Sequence, residues 1–371
     1  MKKKLKMNLD NLRINENRGI EIGQNIVIDG PIDRTNSLHI LSHAHTDHAK
    51  DADIAESLAN EGTEILMTKP TKELLEYTNL NLRTSSRFKT LEYNKTQTFE
   101  NAGNVQVKFL DANHMLGSTQ IQIEDPNLDF SVGYSGDIGK NIEQTIDVDI
   151  LFLDSTYVSF EDRHRYTKED TFDALALKIS NYLKDGLGVN IVANSGLLQS
   201  TIHNLGIRAT LMGFDIWEKY PTIICGGQSK DHAGKIKHFC NVYKNNMYEM
   251  PNVLNIKDDK DETWSYEIDN KRIAIFSSIE DIQNLHLPTF ICKYNPSSLS
   301  EPIIKSKSIE NGFHVALSEH DTGNSIEKYI NGVNPKLIIT DATRTTPERA
   351  EDLAILIKNK LEIDAISSIK L

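Results

Sequence analysis

Short apolar segments, each bounded by polar turns, dominate the chain up to about residue 155. The clearest of them are Asn25–Asp29, Glu64–Met67, Val105–Leu110 and Phe130–Tyr134. Because the side chains of a strand alternate between its two faces, Val105, Val107 and Phe109 indicate a half-buried strand. Ala49–Asn60 and Thr71–Thr78 have helical patterns, so this part of the chain predicts many strands and few helices.

The pattern changes at about Thr167 to an alternation of helices and strands. Lys168–Lys184 and Gln199–Met212 predict helices, and Asn190–Ala193 between them predicts a strand. Such alternation is typical of an α/β unit with parallel strands. The charged stretch Lys257–Lys271 that follows is expected to be a surface excursion.

The last part of the chain returns to the earlier pattern, with two more strands and two more helices. They are Phe313–Leu317, a helix face formed by Ile326, Tyr329 and Ile330, Leu337–Ile339, and Pro347–Leu361 with its proline in the first turn. We therefore expect residues 301–371 to complete the domain that residues 1–164 begin. Residues 165–300 are then an insert between the two parts.

Composition narrows the class of protein. The 371 residues are 39% hydrophobic and 25% charged, which is ordinary for a globular chain long enough for two domains. No apolar run has the length needed to cross a bilayer, and the basic start of the chain is followed by polar residues where a secretion signal needs an apolar core. Cys225, Cys240 and Cys292 are widely spaced, which favours reduced thiols. We expect a cytoplasmic protein that does not contact membranes.

The formal net charge of −12 argues mildly against broad attraction to nucleic acid, but a local positive groove remains open. Two basic clusters are candidates for such a groove. They are Lys2, Lys3, Lys4 and Lys6, and then Arg163, His164, Arg165 and Lys168. Runs of this kind are more often solvated surface, so charge alone selects no partner.

The run Ser42–His48, which reads SHAHTDH, concentrates histidine and carboxylate groups. It follows an apolar segment that predicts a short strand, so His43 and His45 can point to the same side of an extended loop. If the chain then turns, Asp47 and His48 can face a neighbouring point. Imidazole and carboxylate ligands suit zinc or a similar divalent metal, so the run predicts a metal site.

Three further polar residues follow apolar runs, where layered α/β folds commonly place their sites. They are His114, Asp137 and Asp154, which come after Leu110, Tyr134 and Leu153. The candidate metal ligands are then His43, His45 and His114 for one ion, Asp47 and His48 for a second, and Asp137 as a bridge. A water shared by two such ions becomes a nucleophile at neutral pH, and the ions can balance the charge of a phosphate in its transition state.

The order of these residues resembles that of the metallo-β-lactamase superfamily, in which two stacked sheets are flanked by helices. LDSTY at Leu153–Tyr157 and LSEH at Leu317–His320 resemble its nucleic-acid-processing branch, called β-CASP. In that branch an acidic residue, here Asp154, follows the bridging aspartate, a cap domain is inserted, and a histidine, here His320, returns near the phosphate. The resemblance implies an α/β fold, a metallo-β-lactamase αββα sandwich with an inserted α/β β-CASP cap, in which Asp47, Asp154 and His320 are catalytic.

His320 and Asp154 also have chemical reasons for the roles expected of them. His320 precedes Asp321–Asn324, which can begin the next helix, and helix N-termini favour phosphate. A histidine there can hydrogen-bond a phosphate oxygen or protonate the leaving oxygen. Asp154 is expected to orient one of the metal-ligand histidines.

The sequence departs from the RNA-cleaving β-CASP enzymes near its C-terminus. Those enzymes usually carry one more metal-binding histidine in a late strand, whereas Pro335–Arg344 contains none. Artemis-like DNA nucleases also lack it. The second metal is therefore expected to be held more weakly unless Asp341 supplies an oxygen ligand, and DNA is favoured only slightly over RNA.

We thus expect a metal-dependent nuclease that hydrolyses phosphodiester bonds of nucleic acid, with Zn²⁺ in two sites and Mn²⁺ or Fe²⁺ as alternative metals. One alternative is an RNA-processing exonuclease or endonuclease of the same branch, which includes archaeal and bacterial enzymes. A second is a small-molecule hydrolase of the superfamily, which would lack the insert and the segment after Leu153. A third is a non-catalytic partner subunit, in which several metal ligands are usually lost.

Overall fold

The computed structural model describes residues 9–160, 166–226, 230–255, 272–282, 286–292, 299–320 and 324–371. The chain divides into two compact units, Met1–Glu161 with His320–Leu371, and Asp162–Glu319. The described residues form a mixed α/β structure with three sheets. Within these ranges no helix combines the length and the apolar character needed to cross a membrane.

The first unit contains a six-stranded and a seven-stranded sheet. The six-stranded sheet, in spatial order, consists of Leu12–Ile14 (β1), Ile20–Ile22 (β2), Ile26–Ile28 (β3), Leu38–Ile40 (β4), Glu64–Met67 (β5) and Phe88–Thr90 (β6). The strands of the seven-stranded sheet are Thr96–Phe99 (β7), Val105–Asp111 (β8), Thr119–Glu124 (β9), Val132–Tyr134 (β10), Ile150–Leu153 (β11), Leu337–Thr340 (β19) and Asp364–Ser367 (β20). Their spatial order is β20-β19-β11-β10-β9-β8-β7, so the late strands join the early ones.

The helices described in the first unit are Asp51–Ala59 (α1), Lys69–Leu75 (α2), Asn324–Val333 (α7) and Pro347–Leu361 (α8). Two of them, α2 and α8, begin at side-chain caps that the sequence supplies. The hydroxyls of Thr68 and Thr346 accept hydrogen bonds from the first turns of α2 and α8, and each helix has a proline at its start. The predicted bounds of α8 are confirmed.

The two sheets of the first unit share one apolar core. Ile22 and Ile40 of the six-stranded sheet are buried in the same cluster as Val107 and Phe152 of the seven-stranded sheet. The predicted alternation in β8 is confirmed, because Val105, Val107 and Phe109 are buried while Gln106 is exposed. Burial of this kind contributes about 25 cal/mol per Å² of apolar surface removed from water.

The other face of the seven-stranded sheet packs against helices. Leu151 and Ile338 of the sheet form a second cluster with Tyr329 of α7 and Leu353 of α8. The strands β10, β11 and β19 are parallel neighbours in this sheet. Because parallel strands end at one edge, the residues that follow them are brought together there.

The second unit contains a seven-stranded sheet whose pairings are parallel except for the edge pair. Its strands are Val189–Val192 (β12), Thr222–Cys225 (β13), Asn252–Asn255 (β14), Ile273–Phe276 (β15), Thr289–Cys292 (β16), Ile303–Lys305 (β17) and Gly312–Val315 (β18). Its helices are Lys168–Lys184 (α3), Leu197–Leu211 (α4), Ile216–Lys219 (α5) and Lys230–Asn245 (α6). The prediction of an α/β insert with parallel strands is confirmed.

Two features explain why one boundary of this unit was predicted well and the other was not. Helix α3 begins at a capping box formed by Thr167 and Asp170, a local signal that the sequence displays. By contrast, β18 pairs in parallel with β16, so residues 301–319 group with the second unit and not with the C-terminal part as expected. The apolar pattern predicts a strand here but does not indicate which strand of the protein it pairs with.

Several predictions concern parts of the chain that lie outside the described residues. They are the basic cluster Lys2–Lys6, the basic residues 163–165, the polar stretch Lys257–Lys271 and the turn 321–323.

His39 is a histidine of the first unit that is buried in the core strand β4. Its Nδ1 lies 2.9 Å from the hydroxyl of Ser57. Its Nε2 has no hydrogen-bond partner among the described residues. Burial lowers the pKa of His39 from about 6.5 to about 4, and the nearby Asp29 carboxylate opposes this only in part.

This pKa predicts a specific loss of stability in acid. His39 binds a proton near pH 6.5 in the unfolded chain but only near pH 4 in the folded chain. The contribution of neutral His39 to the free energy of unfolding is therefore complete above pH 6.5 and falls as the pH decreases. Between pH 7 and pH 5 the wild type should lose about 2 kcal/mol more unfolding free energy than His39→Gln, which keeps an acceptor for Ser57. Urea denaturation in EDTA measures this, and equal pH slopes would contradict it.

Candidate metal centre

Four side chains of the first unit bring their ligand atoms together: His43, His45, His114 and Asp137. His45 Nδ1 lies 3.0 Å from His43 Nε2 and 3.2 Å from His114 Nε2. Asp137 Oδ2 lies 3.6 Å from His43 Nε2 and 3.5 Å from His114 Nε2. The structure thus groups the three histidines and the aspartate that the sequence assigned to one ion and to the bridge.

The spacing and chemistry of this four-residue group fit a tetrahedral zinc ion. Ligand atoms at about 2.0–2.1 Å from a tetrahedral ion lie about 3.3 Å from one another, close to the four distances given. Burial, and secondarily the neighbouring imidazoles, lower the pKa of His43 and of His114 well below the ordinary value. The two rings are therefore neutral at physiological pH, which is the form that binds metal.

Two turns present His114 and Asp137 to this group. Gly136 adopts a left-handed conformation with φ +57°, and a Cβ there would meet the carbonyl oxygen of Thr119 at 2.7 Å, so the turn before Asp137 requires glycine. Asn113, before His114, is also left-handed, and its backbone N–H donates to Asp111 Oδ1 at 2.8 Å. A backbone hydrogen bond from Thr119 to Ser42, 3.0 Å long, ties the strand β9 to the loop that contains the other two histidines.

His48 lies beside this group and contacts it through Asp137. Its Nε2 is 3.4 Å from Asp137 Oδ1 and 3.8 Å from Asp47 Oδ2. Burial disfavours the charged forms of both His48 and Asp137, but the attraction between the two groups is the stronger effect. It holds the pKa of Asp137 well below its usual range and raises the pKa of His48 to about 10. Asp47 is the least enclosed of the predicted ligands, because its side chain is 58% exposed.

Asp29 is a site residue that the sequence interpretation missed. Its Oδ1 accepts from the backbone N–H of Ser42 at 2.7 Å, and its Oδ2 accepts from the Ser42 hydroxyl at 2.5 Å. The same Oδ2 lies 2.8 Å from His48 Nδ1 and so orients that imidazole. Asp29 directly follows β3, which is the strand-end signal that identified the other site residues.

A second group of possible ligands consists of Asp137, Asp154 and His320. His320 Nδ1 lies 3.0 Å from Asp154 Oδ2, and His320 Nε2 lies 3.7 Å from Asp137 Oδ2. Asp154 Oδ1 accepts from the backbone and hydroxyl of Thr156, which fixes the carboxylate. Asp154 was expected to orient one of the metal-ligand histidines, and the histidine that its carboxylate contacts is His320.

Asp341 belongs to neither group of possible ligands among the described residues. Its Oδ2 accepts from the hydroxyl of Tyr134 at 3.3 Å and lies 3.8 Å from Arg344 Nη1. Its Oδ1 accepts from the backbone of Thr343 at 2.7 Å. The carboxylate is thus occupied by protein donors, which disfavours the prediction that Asp341 replaces the missing histidine.

No protein-family model matches this chain, and no match was found among curated proteins. Inferences about function therefore depend on the residues of the centre and on the sequence motifs that supply them.

We predict that His114→Ala lowers the affinity for Zn²⁺ by at least about 100-fold, since it removes a direct ligand where even the loss of a supporting residue costs 10- to 100-fold. The matched control is His232→Ala, an exposed histidine of α6 in the second unit, which should leave the affinity unchanged. Competition with a chromophoric chelator measures both variants. Wild-type zinc affinity in a folded His114→Ala protein would contradict the assignment.

Proposed function

We propose that the protein is a metal-dependent nuclease of the β-CASP branch of the metallo-β-lactamase superfamily. The observation that carries the proposal is the four-residue group with tetrahedral spacing, placed next to the hydrogen-bonded pair of Asp154 and His320. The order of these residues along the chain resembles that branch. The geometry supports a metal centre, and we propose hydrolysis of phosphodiester bonds from the resemblance and from the paired histidine.

The two units are compatible with this assignment. The first unit buries one core between its two sheets and packs α7 and α8 on the outer face of one of them, as an αββα sandwich would. The second unit, Asp162–Glu319, interrupts the first unit in sequence, as a β-CASP cap would. It consists of a largely parallel sheet with helices, which small-molecule hydrolases of the superfamily lack.

The residues of the first unit suggest a division of labour. His43, His45, His114 and Asp137 would hold a Zn²⁺ ion. When bound, such an ion polarises a phosphoryl oxygen and lowers the pKa of a water so that hydroxide is available near neutral pH. Asp47 and His48, with Asp137, are the residues that would hold a second, weaker ion, and Mn²⁺ or Fe²⁺ suits the same donors.

His320 is the group that would move a proton. Asp154 accepts from His320 Nδ1 and leaves Nε2 directed toward Asp137, on the side of the four-residue group. A histidine held in this way can protonate the leaving oxygen of a phosphodiester or hydrogen-bond one of its phosphate oxygens. The carboxylate of Asp154 fixes the tautomer of the ring and stabilises it when charged.

Nucleic acid is the substrate class that we favour, with a slight preference for DNA because Pro335–Arg344 supplies no histidine ligand. A small-molecule hydrolase is disfavoured by the insert and by the Asp154–His320 pair. A non-catalytic subunit is disfavoured because all six proposed metal ligands are present.

Cleavage of matched single-stranded DNA and RNA oligonucleotides, labelled at either end, tests the proposal. The metal-loaded wild type and His232→Ala should cut at least one polymer, and Asp137→Ala should be inactive because it loses the carboxylate common to both groups. His320→Ala should cut about 100-fold more slowly while retaining its tightly bound zinc. Metal-loaded protein that cuts neither polymer would contradict the function, and full activity in His320→Ala would remove its assigned role.

A further inference from the structure

His114 is buried in the metal centre with one ring nitrogen left without a hydrogen bond. Its Nε2 faces the other ligands, whereas its Nδ1 has no hydrogen-bond partner among the described residues. Nδ1 of His48, by contrast, lies 2.8 Å from Asp29 Oδ2. Nδ1 of His320 lies 3.0 Å from Asp154 Oδ2. Because a metal-ligand histidine is ordinarily oriented by such a partner, His114 must be oriented in another way.

The loop of residues 112–118, here called the His114 loop, is folded around the hydroxyl of Ser118. Ser118 Oγ accepts hydrogen bonds from the backbone N–H groups of His114 and Met115, at 3.1 and 3.2 Å. The backbone N–H of Ser118 donates to the carbonyl of Met115 at 3.0 Å. Since Ser118 is buried, water does not compete for these bonds, and they fix the direction in which the His114 side chain leaves the backbone.

Three hydroxyl groups hold the end of the His114 loop. Those of Thr68 and Thr71 donate to the carbonyl of Gly117, at 2.7 and 2.9 Å. That of Tyr93 donates to the carbonyl of Ser118 at 2.7 Å. Thr68 directly follows β5 and Tyr93 comes shortly after β6, so these bonds attach the loop between β8 and β9 to the six-stranded sheet.

Gly117 allows α2 and the His114 loop to approach closely. It is left-handed with φ +86°, and a Cβ there would meet the backbone nitrogen and the hydroxyl of Thr71 at 2.7 Å. The Thr68 hydroxyl also accepts from the backbone N–H of Thr71 at 3.3 Å, so one group both caps α2 and holds the loop. The start of α2 therefore fixes the position of the loop.

We infer that Ser118 and Thr71 are positioning residues for His114, whose ring is directed through its backbone and not through a partner on Nδ1. Thr68 and Tyr93 support the same loop. The inference rests on the metal centre of the proposed function and deepens it by identifying what holds the third histidine in place. It predicts that zinc affinity depends on hydroxyl groups that are not themselves ligands.

Zinc affinity in variants that lack these hydroxyls tests the inference, measured by competition with a chromophoric chelator. Ser118→Ala should weaken Zn²⁺ binding by about 10- to 100-fold, the effect typical of losing a group that supports a ligand. Thr71→Val removes one hydroxyl and keeps the side-chain shape. It should weaken binding by about 10-fold, the lower limit, because Thr68 still donates to Gly117. Thr71→Ser keeps the hydroxyl and should bind zinc as the wild type does.

Thr63→Val is the matched control. Thr63 is buried, its hydroxyl donates to the carbonyl of Arg34 at 3.0 Å, and it precedes β5, whereas Thr68 follows that strand. In urea with EDTA, Thr63→Val should lose stability as Thr71→Val does, but it should keep the wild-type zinc affinity.

The visible absorption spectrum of the Co²⁺-loaded protein is a second readout, because it reports the geometry of the ligands. The spectrum should change in Ser118→Ala and Thr71→Val and stay as in the wild type in Thr63→Val.

Wild-type affinity and spectra in folded Ser118→Ala and Thr71→Val would overturn the inference. An equal loss of affinity in Thr63→Val would also overturn it, because lower stability alone would then account for the effect. A wild type that binds no Zn²⁺ would contradict the metal centre and this inference together. A wild type that binds Zn²⁺ but cuts no nucleic acid would contradict only the proposed nuclease function.

Discussion

The negative charge of Asp137, a carboxylate that is 6% exposed, is the constraint on which the rest of the centre depends. A buried carboxylate is stable only when cations or hydrogen-bond donors surround it. Asp137 meets this requirement through imidazole nitrogens at 3.4–3.7 Å, supplied by His43, His48, His114 and His320. His48 shares its charge with this carboxylate, whereas His43 and His114 are neutral and leave their nitrogens available to bind a divalent metal beside it.

The scaffold explains how residues so distant in sequence reach Asp137. Parallel pairing of β10, β11 and β19 sets the ends of three strands at one edge, and Asp137, Asp154 and Asp341 follow those strands. The loop after β4 brings His43 to the same edge because a backbone hydrogen bond attaches Ser42 to Thr119. The fold therefore contributes position, while the loops contribute the chemistry.

The sequence was sufficient wherever the signal was local. The bounds of α3 and α8 were predicted from the helical pattern and from Pro347, and the structure places the N-cap residues Thr167 and Thr346 at these two helix starts. The members of the four-residue group were predicted because each lies in a loop that follows an apolar strand. Asp29 also lies directly after a strand, but it was missed because no other candidate ligand lies near it in the sequence.

Long-range pairing limited the remaining predictions. The placement of residues 301–319 depends on β18 choosing β16 as its neighbour, and either unit can bury an apolar strand. The contact between Asp154 and His320 joins residues separated by 166 positions, and no periodicity or spacing in the sequence encodes such a contact.

The most direct measurement is anomalous X-ray diffraction at the zinc absorption edge from crystals of the wild-type protein grown with Zn²⁺. A strong peak is expected about 2.0–2.2 Å from His43 Nε2, His45 Nδ1, His114 Nε2 and Asp137 Oδ2. Density for ordered side chains at these positions with no anomalous peak among them, or with zinc bound only elsewhere, would contradict the claim that this group is a metal centre.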